Sequence, residues 1–179
     1  LMHRLHALRA RALDLDDYAA WDFSAPAFGE EPRMDWDEAV EVVTAAFAAF
    51  DPDVGRWAAD YLRSGRVDVS PRAGKTSGGF CSPGLPPDDP FLLLNHAGRL
   101  DDVFTLAHEL GHALHFHDAN VCRPLNYWPG TALAETASNF GELLLHEELL
   151  RRWTDAPRRR QLLHRFVVDG CNSALSQAA

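Results

Sequence analysis

The sequence predicts a mostly α fold of the α+β kind, with helices in succession interrupted once by a small sheet of two or three short strands. Three observations predict it. Apolar residues recur at spacings of three and four, between helix start and stop signals, along most of the chain. Short apolar and β-branched runs set among Gly and Pro clusters are confined to residues 67–94. The 179 residues, 46% apolar and 24% charged, have the composition and length of one ordinary globular domain.

Leu1, Leu5, Leu8, Ala12 and Leu15 alternate spacings of four and three, so residues 1–15 read as the end of a helix. Residues 16–34 hold Trp21, Phe23, Pro26, Phe28 and Gly29 and read as an ordered connector. Asp35 with Glu38 has the spacing of a capping box, and Val40, Val43, Ala46, Phe47 and Phe50 then follow the helical period. Asp51-Pro52 restarts a helix, because a capping carboxylate followed by proline pre-sets the first turn, and Ser64-Gly65 stops it. Val67-Asp68-Val69 is β-branched, Gly74 to Gly79 is glycine-rich, and Phe91 to Leu94 is a short apolar run. Pro83, Pro86, Pro87 and Pro90 punctuate the stretch between the last two. Asp101 is the expected cap of a helix reaching about His117. A loop with Pro124, Pro129 and Gly130 leads to a helix from about Thr131 to Trp153, and a last helical segment runs on to the C-terminus.

Several function classes drop out. The net charge of −9 has the wrong sign for gripping nucleic acid through its phosphates, and the one basic run, Arg158-Arg159-Arg160, fits a solvated helix face. No eighteen-residue apolar stretch offers a membrane span. Leu1-Met2-His3-Arg4 lacks the features of a signal peptide and reads as a chain entered partway through a helix. Cys81, Cys122 and Cys171 are odd in number and far apart, which fits a reducing, cytoplasmic setting better than a disulfide framework.

The chemistry lies in His108-Glu109-Leu110-Gly111-His112, an HExxH motif on an expected helix. Residues four apart sit about 40° from each other around a helix, so both imidazoles point one way and reach one tetrahedral Zn²⁺. Glu109 lies one step round, placed to take a proton from an activated water rather than to bind the metal. Nine histidines raise the odds of a chance match, and context lowers them: the motif lies within an amphipathic helix that follows short strands. A metzincin would need Gly at 115 and His at 118, where this chain has His115 and Asp118. His115 lies about 4.5 Å of axial rise beyond His112, too far for the same ion, and reads as a packed or hydrogen-bonded residue; His117 points elsewhere. Glu135 lies in the next helix, and an antiparallel return would bring it over the motif as third ligand. It opens a polar stripe of Glu135, Asn139, Glu142 and His146, set apart from Leu133, Ala137, Phe140 and Leu144. Without the motif upstream, such a stripe is an ordinary solvated face. With it, Glu142 and Asn139 become candidates to accept the outer N–H of a ligating histidine, Glu142 the better of the two.

The stretch Thr105 to His115, followed by Ala134-Glu135-Thr136-Ala137-Ser138-Asn139-Phe140-Gly141-Glu142, resembles the oligoendopeptidase F branch of the thimet oligopeptidase family. So do Trp21-Asp22, Val67-Asp68-Val69, Gly74 to Phe80, Leu92 to Asn95 and Leu100 to Val103, so the likeness covers roughly residues 1–150. It implies a mostly helical zinc endopeptidase with a zincin-like core of gluzincin type, acting on short peptides in a deep channel. It implies zinc held by His108, His112 and Glu135, with Glu109 as general base. It further implies a substrate strand along a sheet edge, matched here by Gly78 to Cys81, so that Gly78, Gly79 and Phe80 are candidate substrate contacts. In domain terms residues 1–65 become a helical lead-in, 66–153 the zincin core and 154–179 a truncated C-terminal helix of one catalytic-region fragment. Family members are several times longer, and their oxyanion-stabilising Tyr and His lie in later helices, expected beyond Ala179. The segment Asp169-Gly170-Cys171-Asn172-Ser173 departs from the family pattern. Flanking parts of a longer chain would then be needed to complete the site. Two other readings compete: a zinc-binding fragment without catalysis, and a deformylase-like hydrolase using Cys81 as a ligand.

Overall fold

The computed structural model describes residues 2–19, 21, 22, 25, 28, 32–84 and 86–171. Leu1, Phe23, Pro26, Gly29, Asn172, Ser173 and Ala179, invoked above, lie outside the described residues. Among the described residues six α-helices and three short strands follow one another: α1 (Met2–Ala12), α2 (Trp36–Phe50), α3 (Pro52–Arg63), β1 (Val67–Asp68), β2 (Phe80–Ser82), β3 (Phe91–Leu93), α4 (Leu100–Ala119), α5 (Thr131–Arg152) and α6 (Ala156–Cys171). A 3₁₀ turn at Pro124–Asn126 separates α4 from α5. The chain divides into two compact units, Arg33–Leu149, and Leu1–Pro32 with Leu150–Ala179.

In the unit of residues 33–149, the local signals act as read. Asp35 accepts from the Glu38 N–H and Glu38 from the Asp35 N–H, both at 2.9 Å, closing the capping box of α2. Asp51 accepts from Asp53 and Val54 N–H to start α3 at Pro52. The buried face of α2 is Ala39, Val42, Val43, Ala46 and Phe47, while Phe50 is exposed and meets Phe140 edge-on at 4.9 Å. The N-cap of α4 lies two residues earlier than the expected Asp101. Arg99 is the N-cap, and Asp102 reaches back to accept from Arg99 N–H at 2.9 Å and Ala97 N–H at 2.8 Å. A carboxylate three residues into a helix can satisfy the entry N–H groups from inside, so Asp101 is left at the second helical position.

The sheet has strand order β1-β3-β2, with β1 parallel and β2 antiparallel to the central β3. Val67 pairs with Leu92, and Cys81 pairs with Leu92 from the other side. Leu92 and Leu94 are buried under it. The loop before β2 is pinned twice. Lys75 Nζ, its side chain 1% exposed, donates to Asp68 Oδ1 and to the Asp68 and Ser70 carbonyls. Asn95 Nδ2 donates to the carbonyls of Thr76 and Gly78, each at 2.8 Å. Gly78 has φ +82°, a backbone conformation that favours glycine.

In the other unit the buried Arg9 ties α1 to the connector and to α6. Its guanidinium donates to Tyr18 Oη, to the Asp22 and Ala25 carbonyls and to His164 Nε2. α1 ends at Ala12, short of the expected residue 15, with Asp14 at φ 55° just beyond it.

Candidate metal centre

Two glycines bring α4 and α5 together. A Cβ on Gly111 would overlap the Ala137 carbonyl oxygen and lie 2.8 Å from Ser138 Cα. A Cβ on Gly141 would overlap the Ala107 carbonyl oxygen and lie 3.2 Å from the Phe47 ring. With hydrogen in place of both side chains, the two backbones pack directly. The buried residues of α5 are Ser138, Gly141, Leu145, His146, Glu148 and Leu149, so His146 of the expected polar stripe is turned inward. Leu133, Ala137, Phe140 and Leu144, the separate apolar face read from the sequence, line an open groove with Phe47, Phe50, Val54 and Leu114, and Leu133 is 60% exposed. His115 lines the same groove, apart from the other two histidines of its face.

This packing sets three side chains facing one another. Nε2 of His108 lies 3.4 Å, and Nε2 of His112 3.7 Å, from the same carboxylate oxygen of Glu135, Oε2. His108, His112 and Glu135 offer ligand atoms within 4.8 Å of one another. The edges of a tetrahedron with metal–ligand bonds of 2.0–2.1 Å are about 3.4 Å, so the donor set and spacing fit a zinc ion.

The outer edges of both rings are tied. Nδ1 of His108 is 2.7 Å from Glu142 Oε1, and His112 hydrogen-bonds the backbone of Ala134. Such bonds fix the tautomer and leave the other ring nitrogen facing Glu135. Burial pulls the His108 ring down, but the Glu142 hydrogen bond and the surrounding carboxylates outweigh it, and the net shift is upward. His112 is lowered by burial and by His108, with Glu135 and Ala134 opposing. Asn139, the other candidate for this outer position, is exposed.

Glu109 faces the strand side of α4 and is 6% exposed. Burial pushes its carboxyl up; His108 and a hydrogen bond from the Cys81 backbone pull it down, while Glu135 and Glu142 raise it. β2 is an edge strand, so its backbone has a side free of β3 from which Cys81 can donate to Glu109. Gly79 is the floor beneath this carboxylate: a Cβ there would lie 2.6 Å from Thr105 Cγ2 and 3.3 Å from Glu109 Oε1. Gly78 and Gly79 thus precede β2 rather than forming part of it, and Phe80 opens the strand 43% exposed. Cys81 stands outside the group of candidate metal ligands, its thiol pushed up to about 12 by burial and by Glu109. His117 turns away, its Nδ1 2.7 Å from Asp89 Oδ1.

Besides the Cys81 backbone, two contributors escaped the sequence reading. Ser138 is fully buried and its hydroxyl donates to Glu135 Oε2 at 2.8 Å. The Ala134 backbone holds His112. Only the position of Ser138, one turn after Glu135, could have marked it.

Two imidazoles and a carboxylate converge beside a buried second carboxylate where α4 meets α5, a group that could hold a metal ion. The chain belongs to peptidase family M3, whose family model matches residues 3–175. It is 32% identical over 169 residues to the chromosomal oligoendopeptidase F of Lactococcus lactis subsp. cremoris, covering 93% of this chain and 28% of that protein. It is 29% identical to oligopeptidase PepF of Bacillus subtilis, covering 93% of this chain and 25% of that one. The chain thus spans little more than a quarter of the length of the curated relatives it matches. Among solved structures, a putative peptidase from Chlamydophila abortus superposes with a TM-score of 0.80 at 26% identity, over 98% of this chain and 30% of that one. A putative oligoendopeptidase F from Bacillus anthracis shares the fold, with a TM-score of 0.79 at 19% identity over 93% of this chain and 31% of that one. The mostly helical, zincin-like fold is thereby shared with M3 peptidases.

Proposed function

We propose that the chain is the zinc-holding catalytic region of an endopeptidase that hydrolyses peptide bonds in short oligopeptides. One observation carries this reading: Nε2 of His108 and of His112 meet a single oxygen of Glu135 at 3.4 and 3.7 Å, with Glu109 buried alongside. His108, His112 and Glu135 would hold the zinc, and Glu142 and the Ala134 backbone would keep the rings aimed. Zinc supplies Lewis acidity there, acidifying a water and polarising a carbonyl. Glu109 is the group that takes the proton from the attacking water and delivers it to the leaving amine. Its raised carboxyl and fixed position beside Cys81 suit a base that must hold a proton and give it up. Peptide would lie along the outer edge of β2, near Gly78, Gly79 and Phe80, where a Cβ on Gly78 would meet nothing within 4 Å and Phe80 is exposed.

Residues 1–179 act in this reading as one catalytic region: a lead-in over 1–65, the zincin core over 66–153 and a C-terminal helical part over 154–179. Flanking parts of a longer chain supply the oxyanion donors. Cys81 and Cys122 are free thiols, which favours the cytoplasm, and no described helix is long and apolar enough to cross a membrane. The negative charge argues against nucleic acid as a partner.

Zinc content and cleavage of an internally quenched short peptide, measured on wild type, Glu109→Gln and Glu135→Ala, test the proposal. Zinc kept in Glu109→Gln, lost in Glu135→Ala, and cleavage abolished in both support it. Zinc bound by the wild type without cleavage of any short peptide indicates a zinc-binding fragment alone.

A further inference from the structure

Glu135 is the least constrained member of the tripod. Its side chain is 46% exposed, while those of His108 and His112 are 27% and 14% exposed. A carboxylate at that exposure can rotate into water unless something holds it. The neighbour available on the protein side is Ser138, one turn along α5 and fully buried. Its hydroxyl is 2.8 Å from Glu135 Oε2 and 3.1 Å from the Glu135 backbone oxygen. A serine in mid-helix ordinarily bonds back to a carbonyl of the preceding turn. Here the shorter contact is to the carboxylate, and to the one oxygen that both imidazoles face. Ser138 is itself fixed, because it is fully buried and its Cα packs against α4 where a Cβ on Gly111 would lie only 2.8 Å away.

We infer that Ser138 is a positioning residue for the metal site: its buried hydroxyl holds Glu135 Oε2 toward His108 and His112, so that the third ligand is in place before an ion arrives. The inference rests on the metal site proposed above. An oxygen taking one hydrogen bond from Ser138 keeps a lone pair for the ion, as a ligating carboxylate requires. Removing such an outer partner lowers metal affinity by about 10–100-fold.

The test is the zinc dissociation constant of the full chain, from competition with a chromogenic chelator, together with unfolding temperature with and without zinc. Ser138→Ala should weaken zinc binding by about 10–100-fold and shrink the zinc-induced rise in unfolding temperature. Ser138→Thr, which keeps the hydroxyl, should bind zinc nearly as the wild type does, even where its extra methyl lowers the unfolding temperature. A Ser138→Ala chain that unfolds earlier by the same amount with and without zinc, at unchanged affinity, would show a helix back-bond and overturn the inference. Equal loss of affinity in Ala and Thr variants would overturn it too. A wild-type chain that takes up no zinc removes the metal site itself, and this role with it.

Discussion

Both ring nitrogens of His108 face carboxylates of one helix: Glu142 Oε1 lies 2.7 Å from Nδ1 and bonds it, and Glu135 Oε2 lies 3.4 Å from Nε2. The two carboxylates are two turns apart on α5, so a single rigid element sets the ring's tautomer and faces its free nitrogen. Glu142→Ala should therefore weaken zinc binding by about 10–100-fold, or about 1.4–2.7 kcal/mol, without touching a ligand. Competition with a chelator measures this, and unchanged affinity would mean that the Glu142 contact does not orient the ring.

The contact between α4 and α5 depends on the absence of two side chains. Gly111→Ala forces a methyl into the Ala137 carbonyl and Ser138 backbone, and Gly141→Ala forces one into the Ala107 carbonyl. Overpacking of this kind costs about 1–3 kcal/mol. Each variant should lose that much stability to urea and bind zinc more weakly, because Glu135 moves off with its helix. Gly130→Ala, where a Cβ meets nothing within 4 Å, is the control and should keep both properties.

The Cys81 thiol, pushed up to about 12 by burial and by Glu109, stays protonated at neutral pH. Cys122 is exposed. Alkylation by iodoacetamide at pH 8, followed peptide by peptide by mass spectrometry, should modify Cys122 well before Cys81, because the thiolate is the nucleophile. Comparable rates at the two positions would contradict the half-buried placement of Cys81 beside Glu109.

Hydrogen bonds from Arg72 and Lys75 hold the Asp68 carboxyl at about 2, below its ordinary 3.8. A depressed carboxyl contributes stability that is present above its unfolded value and lost as pH falls through the folded one. The loop over residues 70–79 should thus stay protected in hydrogen exchange at pH 5 and open as pH drops from about 4 toward 2. Asp68→Asn should remove that acid dependence, and a loop that opens identically in both proteins would contradict the role given to Asp68.

Much of this arrangement was readable before any coordinates. Motif spacing placed His108 and His112 on one face, and Asp35 with Glu38 and Asp51 with Pro52 marked their helix starts, because those signals act within one turn of chain. Glu135 was reachable because a metal site needs a third ligand and the next helix carries a carboxylate. What periodicity does not show is which face of α5 packs. It favours large apolar residues, whereas the helices meet through Gly111 and Gly141, and Phe140 and Leu133 are turned to the groove instead. The start of α4 was misplaced for a related reason: Asp102 caps from inside the helix, which looks in sequence like any acidic first turn. The Ala134 and Cys81 backbone contacts have no side-chain signature, so only the fold reveals them.

Zinc K-edge X-ray absorption on the zinc-loaded chain tests the tripod most directly. Two imidazole nitrogens and a carboxylate oxygen predict a light-atom shell at about 2.0–2.1 Å with imidazole scattering and no sulfur, lost in Glu135→Ala. A sulfur shell at about 2.3 Å that disappears in Cys81→Ala and persists in Glu135→Ala would contradict it.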